Sequence, residues 1–169
     1  HRLGGQGRRG RSHLTTPVAR DRGPRLAALA FAVGLAVAFV LLMRLGPRQW
    51  FFLDEWDFLA GRTAGSVDDL LEPHNGHWST LPILVYRAVF RVFGLLHYAP
   101  YRALAVGSHL VAAVMMRGLL RRLGVGPWLA NAVLVPWVLF GAGFQNIVWG
   151  FQVAWNACLV AAVGQLLLA

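Results

Sequence analysis

Six of the chain's seven carboxylates lie between Asp54 and Glu72: Asp54, Glu55, Asp57, Asp68, Asp69 and Glu72. His74 and His77 follow at once. Carboxylates and imidazoles are the side chains best able to move protons near neutral pH, so general acid–base chemistry has one place to occur. The six acids divide by their surroundings. Asp68, Asp69 and Glu72 stand in polar, turn-rich sequence, with Ser66 placed to cap a helix start, and read as a solvated face. Asp54, Glu55 and Asp57 stand among Trp50, Phe51, Phe52, Trp56 and Phe58. Apolar surroundings disfavour charge on a carboxylate and raise its proton affinity, which suits a general base. Asp54 and Asp57, three residues apart, can share one helical face.

Other residues carry weaker chemical signals. Arg87 and Arg91 share a helical face, and guanidinium groups pair with phosphate oxygens bidentately; contact with lipid headgroups by snorkelling is the competing reading. His74-x-x-His77 beside Glu72 has some of the ligands of a divalent metal site. Zinc on a helix, however, wants histidines four apart or further soft ligands, and Asn75-Gly76 between them marks a turn. No cofactor is therefore expected, a divalent metal being kept only as the minor alternative, and His74 and His77 are read as substrate contacts or loop structure. Ser108-His109 has no Gly-x-Ser-x-Gly frame around it and reads as helix packing. Gln145, Asn146, Gln152 and Asn156 suit hydrogen bonds between helices or the lining of a cavity. Cys158 is the only cysteine, so no disulfide framework exists.

The elements that must position these groups are apolar. The chain is 57% hydrophobic and 14% charged, with mean hydropathy +0.53; a soluble domain carries about 25% charged residues. Residues 26–43 contain no charge, and neither does any residue from 123 to 169. A membrane-spanning helix needs about 20 mainly apolar residues, so the expected fold class is an all-α, polytopic membrane helical bundle. The first run is longer than a signal-peptide core and lacks a small-x-small cleavage site; Arg44 to Phe52 resembles an interfacial exit with an aromatic belt. The chain starts at His1 and stops within an apolar run at Ala169, as an amino-terminal piece of a longer protein would.

All sixteen basic residues are arginine, seven of them within 1–25. That glycine- and serine-bearing tail cannot bury a core and is expected to be disordered. It lacks aromatic stacking residues, so a nucleic-acid partner is not expected; it reads as a cytoplasmic flank under the positive-inside rule, with membrane lipid as a compatible partner. With the tail inside, spans are expected at about 26–46, 101–120, 127–144 and 152–169. Arg117, Arg121 and Arg122 return to the cytoplasm, and the outer loop covers 47–100. Within it a short amphipathic helix is expected near Trp50–Thr63. A second helix, 79–96, should lie in the interface, because Pro82, Val85, Val89, Val92 and Leu96 oppose Arg87 and Arg91. The competing reading makes 79–96 a span.

A first span, an Asp-Glu pair soon afterwards in a long outer loop, interfacial helices and a span ending Arg-Arg-Leu-Gly together resemble the amino-terminal end of GT-C fold glycosyltransferases. That superfamily includes protein mannosyltransferases, oligosaccharyltransferases and aminoarabinose transferases. The resemblance covers roughly 26–169 in layout. Its motif is Asp54-Glu55 within Leu53-Asp54-Glu55-Trp56-Asp57-Phe58. It implies sugar transfer from a polyprenyl-phosphate donor to an extracytoplasmic acceptor, with Asp54 as base and Glu55 next. Asp57, His74, His77, Arg87 and Arg91 are then the substrate-binding candidates. Where many relatives carry a His-Pro-Pro-Leu type motif, this chain departs, with Glu72-Pro73-His74-Asn75-Gly76-His77-Trp78-Ser79-Thr80-Leu81-Pro82. The arginine-only basicity with abundant Ala, Gly, Leu and Val fits a GC-rich bacterial genome and a plasma-membrane location. Two other classes stay open: a transporter or flippase of lipid-linked sugars, and a non-catalytic membrane subunit. The first usually places ionisable residues mid-span, and 123–169 has none.

Overall fold

The computed structural model describes residues 23–46 and 48–169, all of it helix, turn or loop apart from one isolated bridge. Helix α1 is Gly23–Leu45; α2, Asp54–Trp56, runs directly into a π turn at Asp57–Gly61. Then come α3, Val67–Leu71, and α4, Thr80–Phe93. Beyond these lie α5, Ala99–Arg122, α6, Pro127–Val138, α7, Phe144–Val148, and α8, Val153–Leu168. The tail expected to be disordered over 1–25 lies outside the described residues as far as 22, and its last three residues open α1.

Among the described residues, three helices are long and apolar enough to cross a membrane: Gly23–Leu45, Ala99–Arg122 and Gly150–Leu168. The span expected at 127–144 is not one straight helix. It stops at Val138, two residues after Pro136, and Pro127–Val138 meets Gly141–Val148 at a 45° bend, as a broken span or a re-entrant loop. Proline removes a backbone donor and its ring crowds the preceding turn; the chain then passes through a 3-10 turn at Gly141–Gly143. The polar turn expected at 144–150 is thereby mostly helical, as α7.

Helices α1, α5 and α6 share a core of Phe31, Ala38, Ala113, Leu134 and Val138. Polar groups inside it are matched one for one. Arg117 donates to Asn131 (2.8 Å), whose amide donates to the Ala27 carbonyl (2.7 Å). Asn156 of α8 donates to the Ala105 carbonyl of α5 (3.1 Å). Ser108 donates back to Ala105 O, while the His109 ring stacks on Trp137 with Nε2 3.2 Å from Val138 O. This is packing, with no nucleophile displayed.

The segment between α1 and α5 folds onto the end of this bundle. Helix α4 packs on the π turn, α5 and α8. Its buried face is Pro82, Ile83 and Tyr86, one step round from the stripe expected from the apolar residues alone, because Val92 and Leu96 are among its most exposed neighbours. Thr80 hydroxyl donates to the Leu70 carbonyl and ties α3 to α4. Ser66 caps α3, accepting from Asp69 N–H at 3.2 Å, as its type and position require.

Candidate active site around Asp54

The segment is held by one buried carboxylate. Glu55 has no exposed surface. Its Oε1 accepts from the hydroxyls of Tyr86 (2.5 Å) and Tyr98 (2.6 Å), and its Oε2 accepts from Phe52 N–H (2.9 Å). Tyr98 hydroxyl in turn accepts from Gly150 N–H at 2.9 Å. One side chain therefore joins the chain after α1, the middle of α4, the start of α5 and the turn before α8. A Cβ on Gly150 would stand 2.6 Å from Tyr86 Oη, 3.1 Å from Tyr98 Oη and 3.2 Å from Glu55 Oε1, so only glycine lets this backbone approach. The turn that presents Glu55 is strained: Leu53 has φ 46°, a region branched side chains rarely enter. The Phe52–Glu55 hydrogen bond spans that residue and keeps it there.

All three tyrosines of the chain meet at this point: Tyr101 packs on Tyr86, and Phe51 meets Tyr98 and Tyr101 edge-on. Burial, and then the charge of Glu55, holds Tyr86 and Tyr98 protonated well above the ordinary tyrosine value of 10.0. In the unfolded chain both ionise near 10, so above that pH the unfolded state binds fewer protons than the folded one and stability falls as pH rises. Below it their contribution is fully present. The expected result in neutral detergent is an unfolding midpoint flat from pH 8 to about 10 and dropping beyond. Tyrosinate absorbance from Tyr86 and Tyr98 should appear with unfolding rather than before it.

With Glu55 turned inward, its neighbours Asp54 and Asp57 face the other way, toward His74. The Nδ1 of His74 is 2.7 Å from Asp57 Oδ2, and its Nε2 is 3.4 Å from Asp54 Oδ1. The imidazole side chain, 11% exposed, packs against Phe58 and Phe151. Its backbone is placed by a tight turn: His74 and His77 exchange both N–H···O bonds (2.8 and 2.9 Å) around Asn75 (φ 49°) and Gly76 (φ 79°). Two successive positive φ angles are what a type I′ turn requires, and Asn-Gly is the pair that supplies them. His77 does not join His74. Its ring meets Trp155 of α8 instead, centroids 5.7 Å apart.

Arg62, which the motif reading passed over, pins this arrangement from behind. It is buried, donates to the carbonyls of Asp69 (3.0 Å), Glu72 (2.6 Å) and Pro73 (3.1 Å), and sets Nε 3.5 Å from Asp57 Oδ2. Replacing Arg62 by Met strands those carbonyls and is expected to cost about 3 kcal/mol. Limited proteolysis of the purified variant should show faster cleavage within 62–77 while the spanning helices stay intact.

Asp54, His74 and His77 open onto a cleft of about 460 Å³. Phe58, Trp149, Phe151 and Trp155 line it; Phe151 stacks on Phe58 (5.2 Å) and on Trp149 (5.0 Å). The Trp149 indole N–H is buried with no acceptor among the described residues. Asp54 keeps about a third of its side-chain surface exposed at the cleft, so a ligand can reach it, whereas Asp57, similarly exposed, is outside the lining and pairs with His74. Glu55 does not line the cleft. Arg87 and Arg91 do not either: they lie along α4, Arg91 exposed and Arg87 with its Nε buried and lacking an acceptor among the described residues. Of the seven candidates from the sequence, the structure thus gathers Asp54, Asp57, His74 and His77, makes Glu55 the internal anchor, and leaves the two arginines apart. Gln152 joins the lining, and Asn156 is engaged with α5. Tyr86, Tyr98, Gly150, Arg62 and Phe151 complete the site without having been marked by any local motif. Among the described residues, no group of three or more His, Cys, Asp and Glu side chains is disposed to hold a metal ion.

Comparison with protein-family models, with curated proteins and with solved structures found no match to this chain.

Proposed function

We propose that the chain belongs to a membrane glycosyltransferase that uses Asp54 as its base. One observation carries the reading: a ligand-accessible carboxylate stands at an aromatic-walled cleft with an imidazole at its side, and that imidazole is held by a second carboxylate, Asp57. Aromatic walls offer flat apolar faces to a sugar ring, and a few convergent polar groups set its orientation. The acceptor hydroxyl gives its proton to Asp54 as its oxygen attacks the anomeric carbon. The bond from that carbon to the donor phosphate breaks, and its electron pair leaves with the polyprenyl phosphate. His74, fixed by Asp57, stands beside Asp54 through this step, and Gln152 in the cleft lining is available to sugar hydroxyls. In this reading the protein resides in a bacterial plasma membrane with its amino terminus cytoplasmic and the Asp54 cleft on the opposite side.

The test is transfer of labelled sugar from a panel of polyprenyl-phosphate donors by membranes carrying the full-length protein, wild type against Asp54→Asn. Transfer by the wild type alone supports the reading. Equal transfer by both removes Asp54 as base, and no transfer with any donor favours a transporter or a non-catalytic subunit.

A further inference from the structure

On the other side of Tyr98 from the Asp54 cleft, where the end of α1 meets the start of α5, lies a second cleft of about 250 Å³. Met43, Gln49, Trp50, Leu96, His97 and Arg102 line it. It shares no residue with the Asp54 cleft. Arg102 is 3% exposed and is the only charged side chain in its lining. One of its amino groups donates to the Met43 carbonyl (2.8 Å) in the last turn of α1, and its guanidinium lies 5.8 Å above the Tyr98 ring. Its Nε–H is buried with no acceptor, and no carboxylate pairs with it among the described residues. The Gln49 carbonyl oxygen is likewise buried without a donor.

A buried cation with one carbonyl and one ring for company is under-compensated. The positive end of α5, a 24-residue helix, points the same way and adds to the deficit of negative charge. His97 supplies another donor at the rim. Both α1 and α5 are long enough to cross a membrane, so their meeting ends stand at the level where lipid phosphates lie. Trp50 and Leu96, both with large exposed surfaces, offer apolar contact beside the charged group. We propose that this cleft binds the phosphate of a membrane lipid headgroup, with the Arg102 guanidinium as its principal contact and the donors of His97 and of the Gln49 side-chain NH2 completing the site. The assignment does not depend on the glycosyltransferase reading.

The experiment uses the full-length protein in neutral maltoside micelles, with native mass spectrometry and the unfolding midpoint as readouts. The probes are short-chain phosphatidic acid, the matching diacylglycerol without phosphate, and inorganic phosphate. Expected is saturable binding and stabilisation by phosphatidic acid, with neither from diacylglycerol. Arg102→Met should weaken that binding at least about tenfold, as loss of a charge-assisted hydrogen bond implies, and Arg102→Lys should restore part of it. Because Arg102 also closes α1, the His97→Ala and Gln49→Ala variants stand as a second measure, each expected to weaken binding several-fold in a normally folded protein. Unchanged binding in both, or equal binding of diacylglycerol, overturns the site. Inorganic phosphate binding as tightly as the phospholipid overturns its assignment to a lipid.

Discussion

Glu55→Ala is expected to leave almost no folded protein in the membrane, whereas Asp54→Asn, one residue away, accumulates normally. The contrast follows from where each carboxylate goes. Removing Glu55 strands two buried tyrosine hydroxyls and the Phe52 N–H, each 2.5–2.9 Å from it. Loss of a partner costs about 1–3 kcal/mol for each buried or part-buried donor, so the sum is about 3–9 kcal/mol, a large share of the roughly 5–15 kcal/mol that holds an ordinary domain together. Glu55→Gln should fall between, since its amide oxygen can still accept from both tyrosine hydroxyls while its NH2 confronts the Phe52 N–H, donor against donor. Gly150→Ala attacks the same point from the opposite side: its methyl group would lie 2.6 Å from Tyr86 Oη, and both tyrosines are confined by neighbouring rings. Fluorescence-detected gel filtration of tagged variants, wild type alongside, reads all three. A monodisperse Glu55→Ala protein with a wild-type midpoint would show that the tyrosines find other partners and that this carboxylate is dispensable.

Under the proposed glycosyltransferase reaction, Asp54→Asn should have the converse effect, a fall of about 10²–10⁴-fold in sugar transfer with little change in the unfolding midpoint. Asp54 keeps a third of its side chain exposed, its contact with His74 is long at 3.4 Å, and exposed ion pairs contribute about 0–1 kcal/mol. The amide keeps the shape and loses the proton acceptor. Asp57→Asn is the informative companion. It leaves Asp54 in place but weakens the 2.7 Å contact that orients His74, so a smaller fall in transfer is expected. If Asp57→Asn abolished transfer and Asp54→Asn did not, the two carboxylates would exchange roles. A variant set read only for activity would confuse Glu55 with Asp54; read for folding as well, it separates the anchor from the base.

Much of this arrangement is visible in the residues taken singly. Depletion of charge marks α1, α5 and α8 to within a few residues, Ser66 announces the start of α3, and Asn75-Gly76 announces the turn between the histidines. The clustering of acids points to the right nineteen residues. What the chain does not disclose locally is which acid turns inward. Asp54 and Glu55 stand in the same aromatic setting, and the difference between them is made by Tyr86, Tyr98 and Gly150, which lie 31, 43 and 95 positions after Glu55 and follow no helical or strand period relative to it. Trp149 and Phe151 carry no local mark of their role, because aromatics serve equally as membrane belts and as cleft walls. Arg87 and Arg91 share the face expected of them, yet the register of α4 is set by Tyr86 reaching Glu55, and that points the arginines away from the cleft. Pro136 carried the one local signal that was passed over, and the expected third span bends just beyond it.

The order in which the chain is made gives Gly150 a further consequence. Glu55 leaves the ribosome 95 residues before Gly150, an interval of about 5–20 s at ordinary synthesis rates. Throughout that time the carboxylate can collect Phe52 N–H, then Tyr86, then Tyr98. The hydroxyl of Tyr98 still has no backbone N–H to accept, and the wall formed by Trp149, Phe151 and Trp155 does not yet exist. Maturation of the Asp54 cleft is therefore a late event, completed when the last described helix inserts beside α5.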